Sequence, residues 1–174
     1  MSILVRKISR GKWPTEIREK NEFDGDTISD LRTTSNTLSL WRIKSEEDME
    51  SAFLALSASS KSETIEKIDV VWISEETLRK NGLTLVDDMG DTVVDDLANT
   101  HCDVANVTYK TLGDLAVIIA EEVINNNHCK RLTASKVKRI LAKAYSERRI
   151  AEEKCTPEML NEIKKAYDQY KNEL

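Results

Sequence analysis

Apolar residues occupy both even and odd positions in the stretch Ile68-Asp69-Val70-Val71-Trp72-Ile73, and this limits the folds that the chain can adopt. Successive side chains of a strand point to opposite faces of a sheet, so both faces of this strand need apolar cover. A strand on the wet edge of a sandwich would show polar and apolar residues in alternation. The stretch therefore predicts a central strand that is covered on both sides.

Other β-prone runs accompany this strand. Residues 38–43 alternate apolar and polar side chains before a bulky Trp41, and this pattern predicts a second strand. Shorter runs occur at 3–5 and 102–108. If 38–43 and 68–73 are neighbours joined by a crossover, that connection should be right-handed.

Helices are predicted by their capping signals and by apolar spacing. Ser45 and Asp48 have the spacing of a capping box, ahead of a core-facing stripe. Ser74 caps a short turn that ends at Gly82, a residue typical of helix C-termini. Thr111 opens a helix that is apolar nearly all round and must be buried. Together these elements predict an α/β or α+β fold, a small mixed sheet flanked by helices.

The C-terminal part of the chain has a different character and predicts a helical hairpin. We divide the chain into an α/β domain over 1–127 and a C-terminal hairpin over 128–174, packed on the first domain. Thr156 and Pro157 form a strong helix start. The helix that follows carries a seam at Leu160, Ile163, Tyr167, Tyr170 and Leu174. The seam spans only two heptads, which is short for self-association.

Two roles for this seam remain open. It either folds back on the apolar face of the preceding helix or docks on a partner. We favour the first, and with it a monomer. The apolar face consists of Val137, Ile140, Leu141, Ala144 and Tyr145.

Composition narrows the class of protein. The 174 residues are 40% hydrophobic and 33% charged, which is typical of a soluble globular protein. No stretch approaches the ~20 apolar residues that a membrane span needs, so we expect no membrane contact. Three cysteines, an odd number, argue against a disulfide framework and fit a reducing compartment. We therefore expect a cytoplasmic protein.

Charge is strongly segregated along the chain. Residues 128–149 sum to +7, whereas the whole chain is −5, so the remainder carries −12. Such segregation creates a field that selects which partners approach. The basic residues, which we predict to bind a protein or a nucleic acid, are Lys130, Arg131, Lys136, Lys138, Arg139, Lys143, Arg148 and Arg149.

Nucleic-acid binding through the basic helix at 130–149 is one alternative. Lysine and arginine there would contact phosphates, with an affinity that falls steeply as salt rises. The pI near 5.2 and the lack of interleaved aromatic residues argue against it. An acidic protein surface and plain solvent are the other occupants we consider for this face.

The segment 87–103 is rich in aspartate and lacks lysine and arginine. Clustered carboxylates can bind Mg²⁺ or Ca²⁺, so a metal-dependent enzyme is a second alternative. The spacing excludes an EF-hand loop, and we favour a solvated acidic stretch that pairs with the basic segment. The candidate metal ligands are Asp87, Asp88, Asp91, Asp95 and Asp96.

Two His-Cys pairs raise the possibility of zinc or a Cys–His nucleophile. The separations between them match no zinc-finger spacing. Adjacent residues of a strand also point to opposite faces, so they cannot readily share one tetrahedral ion. We predict neither site, although the sequence does not say whether these residues meet in space: His101, Cys102, His128, Cys129 and Cys155.

No G-x-G-x-x-G, Walker A, G-x-S-x-G or H-E-x-x-H motif is present, so the sequence assigns no catalytic residue and no cofactor. The first hypothesis is therefore a non-enzymatic interaction module with another protein as its partner. It would act as an accessory, adaptor or neutralising subunit, like an antitoxin or immunity protein, in a cytoplasmic complex.

Overall fold

A computed structural model describes residues 2–31, 33–125 and 127–173. The strands of this part of the chain form one six-stranded sheet in the order β4-β5-β2-β1-β3-β6. Every neighbouring pair in it is antiparallel. The strands are β1 (Ile3–Ile8), β2 (Leu38–Ile43), β3 (Ile68–Ser74), β4 (Thr84–Asp87), β5 (His101–Ala105) and β6 (Cys129–Leu132).

Helices cover both faces of this sheet. One apolar cluster joins the sheet to α2, α4, α6 and α7, and a second joins its other face to α1, α3 and α5. The predicted α+β class is confirmed. The helices are α1 (Gly25–Asp30), α2 (Met49–Ser57), α3 (Glu75–Lys80), α4 (Asp95–Ala98), α5 (Tyr109–Ile124), α6 (Ala134–Ser146) and α7 (Pro157–Tyr170). Among the described residues, no helix is long and apolar enough to cross a membrane.

The prediction of a strand covered on both sides is confirmed. Val70 and Val71 of β3 are completely buried, one in each apolar cluster. The predicted strand at 38–43 is β2, but β2 and β3 are not neighbours, because β1 lies between them and pairs with both. The handedness rule for a crossover between adjacent parallel strands therefore does not apply, and the sheet is antiparallel where we expected a mixed one.

Two helices begin at other residues than predicted. Ser45 makes no capping hydrogen bond, and a 3₁₀ turn over Glu46–Asp48 precedes α2. The cap of α5 is Thr108, which accepts a hydrogen bond from the backbone N–H of Thr111. Thr111 is thus the fourth residue of a capping box, because its own hydroxyl oxygen accepts a hydrogen bond from the backbone N–H of Thr108.

The C-terminal helices form the predicted hairpin. Thr156 caps α7 by accepting from the N–H of Met159. Ile163 and Tyr170 of the seam are buried against α6, and Leu160 and Tyr167 are half-buried. The last seam residue, Leu174, lies outside the described residues. The α7 seam therefore packs on α6.

The sequence analysis did not predict β6. It holds four residues, two of them exposed and charged, so it lacks the apolar alternation of a strand. Its pairing with β3 places the beginning of the basic segment at one edge of the sheet.

Candidate protein-interaction surface

The predicted basic residues lie on β6, on α6 and in the turn after α6. Three of them, Lys130, Lys136 and Arg148, have no carboxylate within 4 Å in the part of the chain that the structure describes. The other five form intramolecular ion pairs, so the segment is not a continuous stripe of free charge. The pairs are Arg131–Asp69, Lys138–Glu162, Arg139–Glu173, Lys143–Glu50 and Arg149–Asp96.

The Arg131–Asp69 pair fastens β6 to β3. The two residues are cross-strand partners, and the guanidinium donates from Nε and Nη2 to the two carboxylate oxygens at 2.6 and 2.9 Å. These hydrogen bonds hold the pKa of Asp69 below its ordinary value and raise the pKa of Arg131. A bidentate pair of this kind fixes both side chains in position.

Two further cations hold α6 in place. Lys143 donates to Glu50 of α2 at 3.0 Å, and this hydrogen bond raises the pKa of Lys143. Arg139 lies over the ring of Tyr170 at 4.9 Å and pairs with Glu173 at 2.9 Å. These contacts join α6 to α2 and α7.

A groove of about 430 Å³ runs between the start of α2 and the start of α6, and we name it the α2–α6 groove. Its floor is apolar and its two banks carry opposite charge. Met49, Phe53, Leu132 and Ile140 line the floor, Glu46, Glu47 and Glu50 form the acidic bank, and Lys130, Lys136 and Arg139 form the basic bank.

A second cavity, of about 260 Å³, lies on the other face of β6, and we name it the Arg10 cavity. Arg10, Arg131 and Cys129 line it, beside the paired Asp69. Lys130 borders both cavities. The edge strand β6 is therefore flanked by a cavity on each face.

The aspartates of 87–103 do not converge on one point. Each candidate ligand has its own partner, and among the described residues no group of three or more His, Cys, Asp or Glu side chains could hold a metal. The partners are Arg42 for Asp87, the N–H of Met89 for Asp88, the N–H of Ser60 for Asp91, Lys154 for Asp95 and Arg149 for Asp96. Arg149 supplies one contact of the predicted pairing between the acidic and basic segments.

The His-Cys pairs are far from forming a common site. His101 packs against Trp41 with ring centroids 5.2 Å apart, whereas Cys102 is buried in the cluster on the opposite face of the sheet. His128 stacks on Trp72 and hydrogen-bonds to Glu122 at 2.7 Å.

Two of the cysteines lie in surroundings that disfavour the thiolate. Burial raises the pKa of Cys102 to about 11 and also raises that of Cys155, so both thiols stay protonated at neutral pH. The three cysteines are unpaired.

Sequence reasoning missed part of this surface. The acidic bank consists of Glu46, Glu47 and Glu50, whereas the sequence pattern in this stretch predicts only a capping box of Ser45 and Asp48. Arg10 begins a 3₁₀ turn just after β1, and only the pairing of β1 with β3 and of β3 with β6 brings it near the basic segment. No local signal links these residues.

Comparison with models of known protein families, with curated proteins and with solved structures finds no match to this chain.

Proposed function

We propose that the protein is a non-catalytic subunit that binds another protein through the α2–α6 groove and the adjoining β6 edge. The observation that carries this proposal is an apolar floor, with Phe53 and Ile140, between banks of opposite charge at an open sheet edge. Protein interfaces combine an apolar centre with a polar rim in this way. The subunit would serve as an accessory, adaptor or neutralising component of a larger assembly.

Several features favour a protein partner over a nucleic acid. The acidic bank, Glu46 and Glu47 among it, would repel a phosphate backbone that approached the groove. Five of the eight basic side chains already pair with carboxylates, which reduces the number of counterions that a polyphosphate could displace. A polypeptide can offer both charges and an apolar side chain for the floor.

A cytoplasmic location is part of the same proposal. Its support is that all three cysteines are unpaired, as expected in a reducing compartment.

The proposal is tested by capture from native lysate. The unchanged chain should retain a partner in a fixed ratio, measured by light scattering of the eluted complex. Replacing Lys130 and Lys136 together with Glu should remove that partner, because it reverses the free charges of the basic bank. Lys61→Glu, an exposed lysine outside the groove, is the control and should retain the partner.

Two results would contradict the proposal. One is a chain that elutes alone in every native preparation. The other is tight binding to a mixed duplex that weakens steeply between ~50 and ~200 mM salt, which would establish the nucleic-acid alternative.

A further inference from the structure

Alternate residues of β6 direct their backbone N–H and carbonyl groups either to β3 or away from the sheet. The N–H of Trp72 donates to the carbonyl of His128 at 3.1 Å, which marks these two as a hydrogen-bonded pair. Such pairs recur at every second residue of an antiparallel ladder. Lys130 and Leu132 therefore direct their backbone groups to β3, whereas Cys129 and Arg131 direct theirs away from the sheet.

These outward groups have no backbone partner among the residues that the structure describes. Among residues 2–31, 33–125 and 127–173, no backbone N–H or carbonyl bonds to the main chain of Cys129 or Arg131. β6 is the last strand of the sheet on this side. An unpaired edge of this kind is a template for another strand.

The side chains of β6 alternate between the two cavities. Lys130 lies on the face of the α2–α6 groove, over the ring of Phe53 at 5.7 Å. Cys129 and Arg131 lie on the opposite face and line the Arg10 cavity. A strand added at this edge would place its own side chains alternately against an apolar floor and against a basic pocket.

We infer that the β6 edge receives an extended segment of the partner as a seventh strand, with apolar side chains over the groove and acidic side chains over the Arg10 cavity. This inference rests on the proposed protein-binding function and names the chemistry of the partner. Arg10 lines this cavity and Arg131 neutralises the carboxylate of Asp69 there, so the cavity keeps a net positive charge that would attract an acidic side chain. Main-chain hydrogen bonds supply the affinity and the two cavities supply the specificity.

A partner segment fits this edge better than a second copy of the chain. The opposite edge of the sheet is β4, and the parity of β5 turns Leu85 and Asp87 outward there. In a head-to-tail pairing Leu85 would face the basic cavity or its rim. The one carboxylate of β4, that of Asp87, is already bound by Arg42 at 2.7 Å.

The test uses the full chain and a labelled peptide of about eight residues, the length of an ordinary strand, in which Glu alternates with Val. Binding is measured by fluorescence anisotropy. Arg131→Ala removes the side chain and keeps the outward N–H, whereas Arg131→Pro removes both. The Pro variant should bind about five- to tenfold more weakly than the Ala variant, the effect of one hydrogen bond.

Peptide variants isolate the backbone and the charge on the unchanged protein. Methylating the peptide nitrogen at every second residue should abolish binding in one of the two registers, and replacing Glu with Lys should abolish it altogether. These measurements decide the matter if Arg131→Pro fails to fold, which melting curves of both variants reveal.

Any of three results overturns the inference. They are equal binding by Arg131→Pro and Arg131→Ala, unchanged binding of both methylated peptides, and no binding by the unchanged chain up to ~1 mM peptide. The inference is also overturned if the β6 amides become protected from hydrogen exchange as the protein concentration rises, without any peptide. That result would identify a second copy of the chain as the occupant. If the native partner is captured equally by both Arg131 variants, strand addition fails while the protein-binding function stands. If reversing Lys130 and Lys136 leaves capture intact, the function fails as well.

Discussion

The two edges of the sheet use charge in different ways. On the side of the acidic segment two carboxylates are tied to other elements of the fold: Asp87 of β4 pairs with Arg42, and Asp96 of α4 pairs with Arg149. At the β6 edge two lysines, Lys130 and Lys136, stay free of carboxylates among the described residues. Charge is thus used inside the molecule on one side, whereas on the other side two cations are left over for the partner that we propose.

Packing differs between these edges as well. Beyond β4, Gly90 lies against the ring of Trp41 and the Cβ of His101, and its N–H donates to the carbonyl of Ala98. Beyond β6 there is a cavity on each face of the strand. The loop after β4 therefore packs closely on the core at Gly90, whereas cavities flank β6.

The largest effect expected concerns which residues of β6 hydrogen-bond to β3. Lys130→Pro should lower the free energy of unfolding by about 2–3 kcal/mol, because it removes a ladder hydrogen bond to β3 and leaves a buried carbonyl of Val70 without it. Arg131→Pro should cost less than about 1 kcal/mol beyond Arg131→Ala, because its N–H points outward. Urea denaturation measures both. Equal costs would contradict a ladder in which the N–H of Lys130, and not that of Arg131, bonds to β3.

The next effect tests the tight packing beyond β4. A Cβ on Gly90 would overlap the ring of Trp41, so Gly90→Ala should lower the free energy of unfolding by about 1–3 kcal/mol through overpacking. Gly11→Ala is the matched control, since its added Cβ meets nothing within 4 Å. Thermal denaturation of the two variants should separate them. Similar melting temperatures would mean that the loop yields easily.

A smaller effect concerns the ion pair between the acidic and basic segments. The double-mutant cycle of Arg149→Ala and Asp96→Asn should give a coupling of about 0.2–1 kcal/mol, the range of exposed pairs. High salt should reduce it further. A coupling of zero at low salt would show that the ion pair between the acidic and basic segments does not stabilise the fold.

The smallest effect is the pH dependence at the β6 edge. Because hydrogen bonds from Arg131 lower the pKa of Asp69 below its ordinary value of 3.8, the pair stabilises the fold above that value. This contribution is lost as the pH falls through the lowered pKa of the folded state. Between pH 5 and pH 2, urea denaturation should show a steeper loss for the unchanged chain than for Asp69→Asn. Parallel curves would contradict the pairing.

Much of the fold could be predicted from periodicity and capping chemistry. The strand at 68–73 was identified because both of its faces are apolar, and α7 because Thr156 and Pro157 form a helix start. The exact residue at which a helix begins could not be predicted in the same way. Thr108 and Thr111 each satisfy the pattern of a capping residue, and only the backbone conformation selects the first.

The candidate site was predicted only in part. The basic residues stand out by charge, but whether a given cation is free depends on carboxylates far away in sequence, such as Asp69 for Arg131. The edge position of β6 follows from long-range pairing that a charged four-residue strand does not signal. Composition therefore identified the segment, and topology determined which of its groups are available.

Residue-resolved amide hydrogen exchange of the full chain tests the central claim, that β6 is an open edge ready to receive a strand. In the free protein the amide of Lys130 should exchange slowly, and those of Cys129 and Arg131 rapidly. Saturating alternating Glu/Val peptide should slow Cys129, Arg131 or both and leave Lys130 nearly unchanged. Protection of Cys129 and Arg131 in the free protein, or no change in either on adding the peptide, would contradict it.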